Sequence, residues 1–382
     1  MQTVLKCLRT AWLLTMMVLF MCPASEAAGE KKRKPPLSIA EQGNFFVGGT
    51  YNTDGQITGQ MFVEFQIPRS RKHKYPLVFV HGGAQMGQAW WQTPDGREGW
   101  APYFLRRGYA VYVADQAARG RSPYHSAYGP LADPPNALRA QQMFTAHELY
   151  NFWPAARLHT RWVGKGVKGD PVFEQFLRSQ AAGLTNGLVQ ETLTADGLVA
   201  LLDKIGPSIL IPHSQPGAPA WLVADRRPNL VKALVQLEPG GPPVARDGPP
   251  GFQAEATFAW GLTSNPITYS PPASDPSQLR FAALPKEPEV ATCWLQADPP
   301  RRLPNLQKVP ILLLTSPSGY NSWWDPCTSK FLTQARVDHT WLKLQDSGIQ
   351  GNGHFMFIEE NSDEVAAVVL KWIEENLRTE KQ

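Results

Sequence analysis

Ser208-Ile209-Leu210-Ile211-Pro212-His213-Ser214-Gln215-Pro216-Gly217 is the stretch on which the reading of this chain turns. A short apolar run of strand type enters a cluster of small and turn-forming residues, and a helical pattern starts near Ala218. Strand, tight turn and helix therefore follow one another with a serine at the apex, the setting in which a hydroxyl is presented as a nucleophile. Small neighbours let the backbone turn sharply, and the N-terminus of the following helix favours developing negative charge. The common spelling of such a turn is G-x-S-x-G; here Pro212 and Pro216 stand at the glycine positions and Gly217 comes one place late. Pro216 suits a first helical turn. Pro212 at a strand end removes a ladder donor. Taken alone, the stretch leaves open a plain proline-bounded strand end with an incidental serine.

Working outward, buried-strand runs recur at Pro76–Val80, Tyr109–Ala114, Lys232–Leu237 and Val309–Leu314, with a further strand at Trp341–Leu344. Continuous apolar runs of this length suit strands buried on both faces. Two half-exposed strands precede them, Phe45–Tyr51 and Gln60–Pro68, the second alternating Met61, Val63 and Phe65 with polar neighbours. Helical patterns lie between the runs, the last over Asp363–Arg378 with Asn361 as expected N-cap and Glu364 three residues on. Strands alternating with helices predict an α/β fold: a mostly parallel sheet with helices on both faces. Residues 131–204 are too long for one crossover and read as a helical cap. Residues 239–308 read as an excursion rich in Pro, Gly and Ser, packed over the sheet.

Two further turns complete a candidate site. Val78-Phe79-Val80-His81-Gly82-Gly83 ends a buried strand in glycines that let a backbone N–H approach a substrate carbonyl. The expected oxyanion donors are the N–H groups of Gly83 and Gln215. Gly351-Asn352-Gly353-His354 lies between the last strand and the last helix, and its glycine-bounded loop makes His354 the expected general base among eight histidines. His81 is read as structural, His147 as a cap-lining residue, and His213 as part of the pocket wall or scaffold. For the acid that orients His354, Glu238 is favoured: it closes the strand after the serine strand, and neighbouring strands lie only about 4.8 Å apart. Asp325 is the alternative.

Composition sets the outer limits. The chain has 382 residues, 43% of them hydrophobic and 18% charged, with 35 prolines and a net charge of +4. That balance excludes a coiled coil or a wholly disordered chain, and it is too weakly basic to imply a nucleic-acid partner. Lys6 and Arg9 precede an apolar run, Ala11–Met21, too short to form a stable membrane span, and small residues at Ser25 and Ala27 suit a cut after Ala27. The expectation is a signal peptide over 1–27, a basic proline-rich linker over 28–43 and a catalytic domain over 44–380, secreted to the periplasm or exterior. Cys7 and Cys22 would leave with the signal. Cys293 and Cys327 remain and read as one disulfide in an oxidising compartment, contributing roughly 3–4 kcal/mol in the chain-entropy model.

These pieces resemble the α/β-hydrolase superfamily. More closely, the chain looks like secreted bacterial carboxylesterases with a Ser-His-Glu triad, whose glutamate directly follows the sixth strand. The matching stretches are His81-Gly82, Thr93–Arg97, Tyr103–Arg106, Asp115-Gln116 with Arg119–Ser122, His213–Gln215, Val235–Gly240 and Gly351–His354, in the same order along the chain. The resemblance implies an eight-stranded-type sheet, Ser214 as nucleophile, His354 as base, Glu238 as acid, and oxyanion donors at Gly83 and Gln215. Where a member of that family carries two adjacent cysteines after His-Gly, this chain has Gly83-Ala84, so no redox feature is carried over.

The expected activity is acyl transfer to water through an acyl-serine, on a small-molecule ester, with no cofactor and no metal. Trp90, Trp91, Trp323 and Trp324 follow the relevant strand ends and, with His213, are the expected walls of a pocket for an apolar or aryl ester. A lactonase, thioesterase, amidase or C–C (diketone) hydrolase would use the same triad. A non-catalytic binding protein on this scaffold would be expected to have lost a triad member. No His-Glu-x-x-His or clustered ligand spacing points to metal hydrolysis, and Arg119-Gly120-Arg121-Ser122 lacks the glycine spacing of a dinucleotide site.

Overall fold

The structure, a computed structural model, describes residues 34–247 and 255–377. The chain divides into two units, Met1–Pro36 and Leu37–Gln382, and the second holds every element below. The expected signal peptide lies outside the described residues.

Eight strands form one sheet: β1 (Ile39–Tyr51), β2 (Ile57–Pro68), β3 (Leu77–Val80), β4 (Val111–Ala114), β5 (Ser208–Pro212), β6 (Val231–Leu237), β7 (Ile311–Thr315) and β8 (Thr340–Lys343). Their spatial order is β1-β2-β4-β3-β5-β6-β7-β8. The β1–β2 and β2–β4 pairs are antiparallel and the other five are parallel. This is the expected mostly parallel sheet. β1 starts earlier than the sequence suggested. Ile39 already faces Pro68 and Gly43 faces Phe65, so residues 39–43 belong to the sheet rather than to the linker.

Six helices frame the sheet: α1 (Trp100–Leu105), α2 (Pro171–Arg178), α3 (Gly187–Ile205), α4 (Gly217–Arg226), α5 (Asn321–Gln334) and α6 (Ser362–Asn376). Strand alternation explains why helices lie on both faces. Leu77, Phe79, Ile209, Ile211, Val235 and Leu314 pack on one side with α1 and α6, through Trp100, Phe104, Val365 and Val369. Val78, Val80, Leu210 and Leu234 pack on the other with α3 and α4, through Leu198, Leu201, Trp221 and Leu222.

The region 131–204, expected as one cap, divides. Its last part, α3, buries Ala195, Leu198 and Leu201 against the sheet and is a core crossover helix. Its earlier part has helical spacing over 136–152 but is broken into a single α-turn at Ala137–Ala140, a π-turn at Gln141–Thr145 and a 3-10 turn at His147–Leu149. The excursion 239–308 is largely irregular where described, with short ladders pairing 245–246 with 255–256 and 281–283 with 294–296. It is anchored all the same: Trp260, Leu262, Ile267 and Tyr269 enter the core, and the Cys293–Cys327 disulfide joins it to α5. The expected cap of α6 differs in detail, because the Asn361 side chain bonds Asn352 rather than the helix backbone. Among the described residues no helix is long and apolar enough to cross a membrane.

Candidate active site

The site is built at the C-terminal ends of β5, β6 and β7. Pro212 closes β5 opposite Val80, and the His213 N–H donates to the Val80 carbonyl at 3.1 Å, so the missing proline donor is made good one residue later. Ser214 then adopts φ +65°, a left-handed conformation that side chains larger than glycine seldom take. It is held there by its N–H to the Leu237 carbonyl at 3.0 Å and by two N–H groups, Gly217 at 2.9 Å and Gly240 at 2.8 Å, that converge on its own carbonyl. Strain of this kind persists only where the surroundings over-determine it, and it concentrates at functional sites. Pro216 is the N-cap of α4, whose N-terminus stands directly behind the serine.

Glu238 follows β6 and is also left-handed, at φ +44°. It is fully buried and its Oε2 lies 2.6 Å from His354 Nδ1. Its Oε1 accepts from the Ser316 N–H at 2.7 Å and from the Ser316 hydroxyl. Burial pushes the Glu238 carboxyl up to about 8 against the pull of the Ser316 bonds, and burial pushes His354 below its ordinary value. Both directions express the same cost of charge in a closed site. Asp325, the alternative acid, is buried on α5, where its carboxylate accepts from the Thr315 hydroxyl at 2.6 Å and from Asn321 Nδ2 at 2.9 Å. It serves that helix and has no contact with His354.

His354 reaches the site on a loop fastened from two directions. Glu359, fully buried, accepts the Gly353 N–H at 3.0 Å and the Asn352 side-chain amide at 2.8 Å. The guanidinium of Arg97 donates to the carbonyls of Ile358, Glu359 and Glu360 while Asp95 fixes its other edge. His213 Nε2 bonds the His354 carbonyl at 2.9 Å, and burial holds His213 neutral. His159 bridges Glu359 and Glu148, at 2.9 Å to each, and its ring stacks on His147 at 4.1 Å. His147, Glu148 and His159 are close enough to suggest a cation site. Each ring nitrogen already has a partner, however: Phe144 O and Ser318 Oγ for His147, and the two carboxylates for His159.

Gly82 and Gly83 pass beside the serine turn. A Cβ on Gly82 would meet His213 Nδ1 at 2.9 Å and Ser214 Cβ at 3.2 Å, so only glycine allows this approach. His81, read as structural, is buried and accepts the Gln116 N–H at 3.0 Å. Arg119 supports the facing donor, its guanidinium holding Gln215 Oε1 at 2.7 Å.

Ser214, His354, Gly83 and Gln215 all open on one cavity of about 840 Å³. Arg139, Met143 and Phe144 roof it from the cap side, and Arg246, Thr257 and Phe258 come from the excursion. Of the expected wall residues, His213 and Trp324 line the cavity. Trp90 does not: it is fully buried against Phe79, Trp100 and Phe357, because the helical turn carrying it faces the sheet. Trp91 packs against the same core, and Trp323 joins a satellite cluster with Trp153 and the disulfide. A residue the sequence did not single out, Tyr320, lines the cavity with its hydroxyl 2.5 Å from His354 Nε2.

Fold and site together define an α/β hydrolase. Among known proteins, one described as a probable secreted lipase phiG, from Fungal sp. (strain ATCC 74256), is 39% identical over 332 residues, which cover 86% of this chain and 88% of that protein. A solved structure of a novel bacterial esterase superposes with a TM-score of 0.61 at 23% identity, covering 91% of this chain and 99% of that one. No protein-family model matches the chain. The chain belongs to the α/β-hydrolase superfamily and, within it, to the same family of hydrolases as the fungal protein.

Proposed function

We propose that this protein is a secreted serine carboxylic-ester hydrolase that works through a Ser214-His354-Glu238 triad and an acyl-enzyme. The observation that carries the reading is the bond between Glu238 Oε2 and His354 Nδ1 at 2.6 Å, made beside a strained Ser214 at the mouth of one cavity. The fungal relative, described as a secreted lipase, supports both the ester substrate and the secretion. The Cys293–Cys327 bridge suits an oxidising compartment. Residues 1–27 would then act as the signal peptide, with the cut after Ala27, and the substrate would be a small ester with an apolar or aryl portion.

In the first step the Ser214 oxygen attacks the ester carbonyl as its proton passes to His354. With Nδ1 donating to Glu238, the accepting lone pair of the ring lies on Nε2, and the carboxylate stabilises the imidazolium that forms. The Gly83 and Gln215 N–H groups hold the oxyanion, and such a donor commonly supplies about 3–4 kcal/mol. The imidazolium protonates the departing alcohol. Water then enters, is deprotonated by His354, and releases the acid from Ser214. The test is hydrolysis of a short-chain aryl ester by purified protein and by Ser214→Ala, alongside lactone, thioester and amide panels. The reading expects ester turnover that falls by on the order of 10⁴–10⁶-fold in the variant; equal turnover by both proteins would overturn it.

A further inference from the structure

The turn after β4 holds a charge that none of the steps above uses. Arg119 is 5% exposed and stands between two left-handed residues, Ala118 at φ +57° and Gly120 at φ +58°. The acid of the same turn, Asp115, is spent on Arg121 Nε at 2.8 Å and on the N–H groups of Arg121 and Gly87. Among the described residues the hydrogen-bond partners of Arg119 are all neutral: Gln215 Oε1 at 2.7 Å, and the carbonyls of Gly82 and Ala182 at 3.4 Å each. Burial lowers the guanidinium to about 10, so it keeps its charge at neutral pH. A buried cation held only by neutral groups is costly, and such costs concentrate at functional sites.

These contacts converge on the two expected oxyanion donors. In a trans peptide the carbonyl and the N–H share one plane and point opposite ways, so fixing the Gly82 carbonyl aims the Gly83 N–H. That carbonyl is held by Arg119 and by Gln116 Nε2 at 3.4 Å, with His81 Nδ1 at 2.9 Å. The Gln215 side chain, gripped by the same guanidinium, runs beside Gly83, where a Cβ would come within 3.5 Å of its Oε1. The guanidinium is itself wedged in place. A Cβ on Gly183 would fall 1.7 Å from Arg119 Nη2, so glycine is needed for residues 181–183 to close over it. The same segment steadies the next residue of the loop, the Ala181 N–H donating at 2.8 Å to the carbonyl of the left-handed Ala84.

We propose that Arg119 is a positioning residue for the oxyanion donors, acting through the Gln215 side chain and the Gly82–Gly83 peptide. The inference rests on the triad and donors proposed above. Its geometric part is the fixing of both donor residues by one rigid, planar group. Its electrostatic part is a permanent positive charge on the carbonyl side of the Gly82–Gly83 peptide. In a closed site of low dielectric, that charge favours the negative charge developing at the Gly83 N–H. Both parts act where the oxyanion forms, so they stabilise the transition state more than the bound ester.

Arg119→Met keeps the reach of the side chain and removes its charge and donors. With a short-chain aryl ester, kcat per titrated active site should fall by about 10- to 100-fold, the cost of misplacing a reacting group, with KM within about two-fold. Affinity for an aryl trifluoromethyl ketone, which binds as a tetrahedral oxyanion adduct, should fall by the same factor, while affinity for the product acid holds. Arg119→Lys, which restores the charge, should recover part of both losses. Gln215→Met keeps the backbone donor and removes the side-chain carbonyl that Arg119 grips. It should show a smaller loss of the same kind, and adding it to Arg119→Met should lower kcat no further. If Arg119→Met does not fold, Arg119→Lys and Gln215→Met decide, and wild-type kcat and ketone affinity in both overturn the role. A folded Arg119→Met protein with wild-type kcat and ketone affinity overturns it too, as does a loss shared equally by the ketone and the product acid. Ser214→Ala run in parallel separates the failures: if it is inactive while Arg119→Met is fully active, the positioning role alone is wrong, whereas an active Ser214→Ala removes the triad reading itself.

Discussion

Glu238 and Asp325 are both buried carboxyls near the end of a strand, and geometry gives them different work. Glu238 meets His354 Nδ1, and Asp325 meets Thr315 and Asn321. Glu238→Gln should lower kcat by about 10⁴-fold, the order seen when a triad acid loses its charge, while Asp325→Asn should change kcat little and lower the melting temperature; rates on an aryl ester check both. The pH profile carries the same assignment. On the proposed triad, activity needs neutral His354 beside ionised Glu238, and burial pushes that carboxyl up to about 8. The last proton therefore leaves the pair on the alkaline side of neutrality, and kcat/KM should climb through about pH 8. In Glu238→Gln the residual activity should lose that limb, because the remaining imidazole is held below its ordinary 6.5. The candidate triad of Ser214, His354 and Glu238 was legible in the sequence because each sits in a turn whose glycines, prolines and strand context restrict what the residue can do. Tyr320 was not, since a single tyrosine after a strand end carries no pattern. Nor could Trp90 and Trp324 be told apart, as which way a tryptophan faces depends on how its helical turn docks onto the sheet.

At the level of elements, the strands were readable as apolar runs cut by proline and glycine, and every one expected is present. The crossover regions were harder. The α3 pattern continues the apolar rhythm of the cap before it, so only docking against β1, β2 and α4 assigns it to the core. The 137–149 segment has helical spacing but winds as a sequence of short α, π and 3-10 turns over the cavity, and spacing alone does not encode that choice. The loop carrying His354 depends on elements far away in sequence. Arg97 binds three of its carbonyls. Arg97→Leu should therefore lower kcat by about 10- to 100-fold, since small misplacements of a reacting group are costly, while KM and the burst of covalent labelling stoichiometry stay the same. Steady-state rates with a titration of active sites check this.

The unit from Leu37 onward is built on a sheet covered on both faces, and a cap segment and an excursion holding much of the proline line its cavity. Fifteen of the 35 prolines fall between Pro239 and Pro310, the same stretch that contributes Arg246, Thr257 and Phe258 to the cavity. The disulfide fastens this stretch to α5, closing a loop with a separation of 34 residues. Replacing both cysteines with serine should cost roughly 3–4 kcal/mol of stability, read as a shifted denaturation midpoint. Stability should also depend on pH through His159. Its carboxylate partners Glu148 and Glu359 raise it to about 9 despite burial, while its stacked neighbour His147 is held neutral. A raised folded-state value means this contribution, on the order of 3 kcal/mol, is complete below about pH 6.5 and is lost as the pH rises through about 9. The stability gap between wild type and His159→Gln should therefore narrow over that interval in denaturation curves taken at several pH values. The central claim, that Ser214 is the nucleophile of an esterase, is met most directly by stoichiometric labelling with a serine-directed phosphonate followed by peptide mass mapping. The account predicts one adduct per chain, on Ser214, with ester hydrolysis lost in step with labelling; an adduct elsewhere, or a fully labelled Ser214 with activity intact, would contradict it.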